Sequence, residues 1–142
     1  MCLNEDIFSG LLSAADPRML SGLSLAFIGD AVYELVIRNY ILSKGEGKVS
    51  LMHKETVKLV NADFQADVME VLIPLLNEEE VAAFKRGRNA HSAHTPKNKS
   101  EAQYHKSTGF EALIGYLYLK KDYDRLNNIL SVVLRQGESD GK

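Results

Sequence analysis

An all-α helical bundle is the fold this sequence predicts, and three observations predict it. Strand signals are almost absent, with no alternating Val/Ile/Thr run bounded by Asn-Gly or Asp-Gly. Apolar residues recur at helical spacing through nearly the whole chain. Caps and breakers punctuate that periodicity at Ser50, Pro74, Asn77 and Gly137.

The elements follow in order. Leu23, Phe27, Asp30/Ala31, Glu34, Ile37 and Ile41 share one side of a helix that stops at "SKGEGK", whose two glycines break it. From about Ser50, an expected N-cap, a second helix runs through "LMHKETVKLVNADFQADVMEVL" until Pro74 ends or bends it. "NEEEVAAFKRGRNA" reads as a helix capped by Asn77, with acids in its first turn and bases in its last, as the helix dipole prefers. "HSAHTPKNKS" reads as a loop. "STGFEALIGYLYLK" and "YDRLNNILSVVLRQG" close the bundle, the last helix ending at Gly137. Neither a repeat nor a low-complexity tract marks a second domain, so residues 1–142 are expected to form one unit.

Bulk properties narrow the setting. A hydrophobic fraction of 45% is enough to close a core without staples. The single cysteine, Cys2, rules out an intramolecular disulfide and fits a reducing compartment. No apolar run approaches a membrane span, and the acidic start "MCLNEDIF" is unlike a signal peptide, so a cytoplasmic location without membrane attachment is expected.

Two acids stand out. Asp30 sits in "LAFIGDAVYELV" and Glu111 in "FEALIGYLYL", each inside a strongly apolar helix and each close to a glycine, Gly29 or Gly115. Glycine in a helix interior costs about 1 kcal/mol against alanine, so a reason is expected. Close packing of the two helices through their glycine faces is such a reason, and it would bring the carboxylates together. Two carboxylates in an apolar cleft resist ionisation, and a hard divalent cation relieves both costs. Ordinary ion pairing is the alternative. Asp30, Glu34 and Arg38 are spaced for a salt-bridge ladder, and Glu111 has Lys106, Arg38 or a helix N-terminus as partners.

Residues 85–106 carry six bases, Lys85, Arg86, Arg88, Lys97, Lys99 and Lys106, against one acid, Glu101. That local charge of +5 leaves −7 for the other 120 residues of a chain whose net charge is −2. Such polarisation is the footprint of a polyanion partner, with Asn89 and Asn98 adding phosphate-binding side chains; a solvated helix end is the plainer reading. His91, His94 and His105 lack the cysteines or acids that a zinc site needs.

With these residues in view, "LAFIGDAVYELVIR" resembles the signature helix of ribonuclease III catalytic domains, whose core reads Glu-Phe-Leu-Gly-Asp. "STGFEALIGYLYL" resembles the same domain's second acidic helix, Asp-x-x-Glu-Ala-Leu-Ile-Gly. Order, separation and the intervening "KLVNADFQA" also fit, over roughly residues 20 to 135. With "KRGRNAHSAHTPKN" between them, the chain is most similar to the compact bacterial form, Mini-ribonuclease III, in which no double-stranded-RNA-binding domain follows. The resemblance implies the ribonuclease III endonuclease-domain bundle, acting as a homodimer that cuts double-stranded RNA with Mg²⁺. Products would carry 5′-phosphate and 3′-hydroxyl ends with a short 3′ overhang, and the implied substrate is the precursor of 23S ribosomal RNA.

Asp30 then takes the signature aspartate's place and Glu111 the second-helix glutamate's, both as catalytic metal ligands. Two acids of the full pattern are replaced, by Ala26 and Thr108. The Thr108 hydroxyl is a candidate for orienting water. Lys85, Arg86, Arg88, Asn89, Lys97, Asn98 and Lys99 are the RNA-binding candidates, and Phe27, Tyr33 and Ile37 are either dimer contacts or plain core. Whether a ribosomal protein assists is left open by the sequence. The competing reading is a non-catalytic RNA-binding protein on the same fold, favoured by Ala26 and Thr108 and opposed by retention of both Asp30 and Glu111. An acidic adaptor that binds protein leaves the +5 segment unexplained.

Overall fold

The computed structural model describes residues 16–90 and 97–140. Six α-helices and two short 3-10 turns, with no strand, make up the described residues. After a turn at Pro17–Met19, Ser21 accepts a hydrogen bond from the Ser24 amide (3.1 Å) and caps α1, Gly22–Ser43. The inward row of α1 is Leu25, Gly29, Tyr33, Ile37 and Ile41, each one turn on from the last. Ile37 and Ile41 were expected there. Leu23, Phe27, Asp30 and Ala31 instead face outward, because α1 is apolar on more than one side and periodicity alone does not choose between them. Gly45, at φ +125°, turns the chain out of the helix in a conformation that suits glycine.

The stretch expected as one helix is two, α2 (Val49–Val60) and α3 (Ala62–Leu72). Asn61 makes the break. Its backbone is extended, its side-chain oxygen accepts from the Phe64 amide (2.8 Å), and its amide donates to the Val57 and Lys58 carbonyls (3.0 and 3.1 Å). One side chain thus closes one helix and opens the next. Lys48 rather than Ser50 stands at the start of α2, without a side-chain cap.

Pro74 lies in a 3-10 turn, Ile73–Leu75, before α4 (Glu78–Arg88). The Asn77 cap forms as expected and is a full capping box with Glu80 (2.9 and 3.0 Å). Helix α5, Lys99–Lys120, starts eight residues before the expected Ser107, because Asn98 accepts from the Glu101 amide and caps it there. Helix α6, Tyr123–Asp140, runs through Gly137 instead of ending at it. A Cβ at that position would lie 2.7 Å from the Leu59 side chain, so this glycine admits α2 rather than stopping α6.

Helix α5 is the axis of the bundle. From Ser107 to Leu117 it is buried nearly all round, packed by α1, α3 and α4. Tyr33 meets Phe110 edge-on at 4.9 Å between ring centres, and its hydroxyl donates to the Leu59 carbonyl (2.6 Å). Tyr33 and Ile37 are fully buried in this chain's own core, which removes them as dimer contacts and leaves Phe27, exposed on another face of α1.

The last helix is held by a charge inside the protein. The buried Glu80 carboxylate accepts two hydrogen bonds from Arg125 (2.7 and 2.8 Å), and Arg125 also donates to the Leu75 carbonyl (2.7 Å). Burial alone would raise the Glu80 carboxyl, yet its bonds to Arg125 and to the Asn77 amide outweigh burial and hold it below its ordinary value. Removing one partner strands the other. Arg125→Met is therefore expected to cost about 3–5 kcal/mol in urea unfolding.

Candidate active site

Helices α1 and α5 cross at two glycines. A Cβ on Gly29 would stand 1.8 Å from the Glu111 carbonyl oxygen, and one on Gly115 would stand 2.0 Å from that of Leu25. The backbones are in direct contact. Asp30 follows Gly29 and Glu111 lies one turn before Gly115, so the crossing brings the two side chains together, with their carboxyls in hydrogen-bonding reach.

Asp30 itself is exposed, which corrects the expectation of two buried acids. Each residue advances about 100° round a helix, so the neighbour of an inward glycine comes out at the rim of the contact. Glu111 is half-buried. Burial, then the hydrogen bond and repulsion from Asp30, push its carboxyl up to about 8, against a smaller downward pull from Gln65. One rung of the ladder that spacing offered does form, and the two bases offered to Asp30 and Glu111 pair with other acids. Arg38 pairs with Glu34 (3.2 Å), and Lys106 pairs with Glu70.

Sequence reasoning missed Gln65. This α3 side chain is 1% exposed, its Oε1 accepts from the Ser107 hydroxyl (2.6 Å), and it lies near Glu111. Its Nε2 falls short of a full hydrogen bond and is the orphaned buried side-chain donor of the described residues. The sequence offers little signal for it, because Gln65 is one of three polar residues in "DFQADV".

These features suit a hard cation. The donors are two carboxylates, oxygen ligands of the kind that Mg²⁺ and Mn²⁺ prefer. Repulsion between them is what a cation would relieve. Among the described residues no group of three His, Cys, Asp or Glu side chains forms a metal cage, so water and substrate phosphate oxygens would supply the remaining ligands. Of the two replaced acids, Ala26 is buried in the core. Thr108 is also buried, and its hydroxyl proton is engaged by the Tyr104 carbonyl (3.1 Å).

The basic candidates divide. Lys85 and Asn89 are exposed and Arg88 half-buried at the end of α4, with Arg88 over the Phe84 ring and bonded to Asn89 (3.1 Å). Lys97 and Lys99 are exposed at the start of α5, where Asn98 is the cap. Arg86 turns inward, donating to the carbonyls of Arg18 (3.1 Å), Leu20 (2.8 Å) and Pro17 (3.4 Å). It ties the incoming chain to α4. His105 is buried beside Glu101, while His91 and His94 lie outside the described residues.

Comparison with known proteins places this geometry. The pattern of the ribonuclease III domain matches residues 23–122, which contain both acids. The chain belongs to the ribonuclease III family. It is 48% identical over 122 residues to a Mini-ribonuclease 3 of a Thermoanaerobacter species (86% of each chain). It is 46% identical over 120 residues to that of Clostridium tetani (84% of this chain, 80% of the relative). A crystal structure of a Fusobacterium nucleatum protein, 33% identical, superposes with a TM-score of 0.74 over 87% of this chain and 98% of the other. As a ribonuclease III family member the chain is a metal-dependent endoribonuclease of double-stranded RNA. Among the described residues, no helix is long and apolar enough to cross a membrane.

The raised Glu111 carboxyl carries a pH signature. Between its ordinary 4.5 and about 8 the folded chain holds a proton that the unfolded chain has lost. Stability without metal is then full below that window and declines as pH rises through it. Melting curves in chelator from pH 5 to 9 are expected to show this fall in the wild type and a much flatter profile in Glu111→Gln.

Proposed function

We propose that the chain acts as a single catalytic unit, a Mg²⁺-dependent endoribonuclease that trims the double-stranded ends of precursor 23S ribosomal RNA in the cytoplasm. The observation that carries the site is the Asp30–Glu111 pair at the glycine crossing of α1 and α5. Those two carboxylates would hold the cation. Bound there, Mg²⁺ supplies positive charge to the scissile phosphate and acidifies a water. The side chains of Lys85, Arg88, Asn89, Lys97 and Lys99 would hold flanking phosphates, which sit along the wide, shallow minor groove of A-form RNA. Hydrolysis breaks the bond to O3′, and the phosphate stays on the 5′ end of the downstream strand. Substrate choice rests on similarity to the Mini-ribonuclease 3 relatives. Comparing the naked stem with one bearing its ribosomal protein tests whether that protein assists.

The same geometry supports a homodimer. Leu23 and Phe27 (84% exposed), one turn apart on α1, make an exposed apolar stripe that leads to Asp30, with Met19 (83% exposed) in the turn before the helix. Two chains meeting on this stripe would set two acid pairs about a twofold axis, one for each RNA strand. Phe27 remains the contact of choice. Phe27→Glu is expected to yield a folded monomer in sedimentation, with duplex cleavage lost or reduced to single-strand nicks.

The direct test is cleavage of a perfect RNA duplex, with Mg²⁺ or chelator, beside Asp30→Asn. The variant is expected to keep its fold and lose activity by about a thousandfold or more, the several kcal/mol that a metal supplies to such a reaction. Wild-type cleavage by a folded, dimeric Asp30→Asn would overturn the site.

A further inference from the structure

A buried side chain outside the acid pair is tied to it. Gln65 lies between α3 and α5, where other cross-helix contacts, Gln103 with Asp67 and Lys106 with Glu70, are at the surface. A primary amide in apolar surroundings is costly unless its atoms are satisfied. Its Oε1 is satisfied by the Ser107 hydroxyl at 2.6 Å. Its Nε2 is buried without a hydrogen-bond partner, and Gln65 is near enough to Glu111 to pull its carboxyl down. Ser107 and Glu111 stand one turn apart on α5, so they present to α3 a donor and an acceptor in series. The order of atoms in the amide follows. An ionised Glu111 accepts and cannot donate, so the NH₂ end belongs to Glu111 and the oxygen to Ser107.

We propose that Gln65, clamped by Ser107, is the positioning residue of the cation site, holding the Glu111 carboxylate toward Asp30 through its Nε2. This rests on the reading of Asp30 and Glu111 as the cation's ligands. Ligating carboxylates are oriented by hydrogen bonds from behind, and loss of such a partner lowers metal affinity by about 10- to 100-fold. Here the donor comes from a third helix, so α3 contributes to the site without touching the cation. Gln65 also resolves an oddity of packing. A donor left unmatched in the core is available to a carboxylate oxygen of Glu111, one turn from Ser107.

Mn²⁺ is the probe, its free concentration read by electron paramagnetic resonance in titrations of the full chain without RNA. Gln65→Met keeps the side chain's length and removes both polar ends; Ser107→Ala releases the clamp alone. The expected result is Mn²⁺ binding weakened about tenfold or more in Gln65→Met, and less in Ser107→Ala. The double variant should be no weaker than Gln65→Met. The half-saturating Mg²⁺ for duplex cleavage should rise by the same factor, with KM for RNA unmoved at saturating Mg²⁺. Asp30→Asn is the reference arm. If it loses Mn²⁺ while Gln65→Met binds as the wild type does, the role of Gln65 is overturned and the cation site stands. Wild-type binding by Asp30→Asn overturns the site itself, and the role of Gln65 with it. Should Gln65→Met fail to fold, Ser107→Ala decides, and wild-type affinity there overturns the clamp.

Discussion

Backbone contact between helices is the constraint on which the site depends. At the crossing of α1 and α5 there is no room for even a methyl group on Gly29 or Gly115. Any side chain there would push the helices apart and carry Asp30 away from Glu111. The same device recurs one turn along α5, where a Cβ on Gly87 would lie 2.8 Å from the Thr108 carbonyl and one on Gly109 would lie 2.6 Å from the Phe84 ring. That second contact brings the basic end of α4 against α5 just before Glu111. Acidic and basic halves of the site are therefore both referred to α5, by contacts too short to slide.

The arrangement trades stability for chemistry. Glu111 destabilises the folded chain as it ionises in its half-buried place beside Asp30, and ordinary ion pairs are drawn elsewhere, Arg38 to Glu34 and Lys106 to Glu70. The unrelieved repulsion of Asp30 and Glu111 is what would give a cation its affinity for the proposed site. The basic segment is divided in a similar way. Arg86 closes three carbonyls of the incoming chain and Lys106 is paired, so the outward charge is smaller than the composition of residues 85–106 suggests.

Much of this could be read from the residues. Both acid-bearing helices, the Asn77 cap and the role of the glycines beside the acids follow from local rules, since caps and close approaches depend on a few neighbouring atoms. What could not be read depends on which face a helix turns inward. Helix α1 offers apolar residues on several sides, so the exposure of Asp30 and Phe27 and the burial of Tyr33 and Ile37 became visible only with α5 in place. Asn61 and Gly137 are ambiguous for another reason. Asparagine can close a helix or open one and here does both, while glycine can end a helix or admit a neighbour. Gln65 was hidden because its meaning lies in Ser107 and Glu111, on a helix far along the chain.

That distance has a consequence during synthesis. Asp30 and Glu111 are about 80 residues apart, so their meeting closes one of the long loops of the fold and needs most of the chain to be present. A growing chain that has released α1 but not α5 has an aspartate and no site. Because the two acids are joined only by helix docking, the proposed cation site arrives with the tertiary fold and not before it. On the proposed assignment of Asp30 and Glu111, a ribosome making this nuclease would be shielded from it: the chain would be incapable of cutting RNA until α5 has emerged and docked.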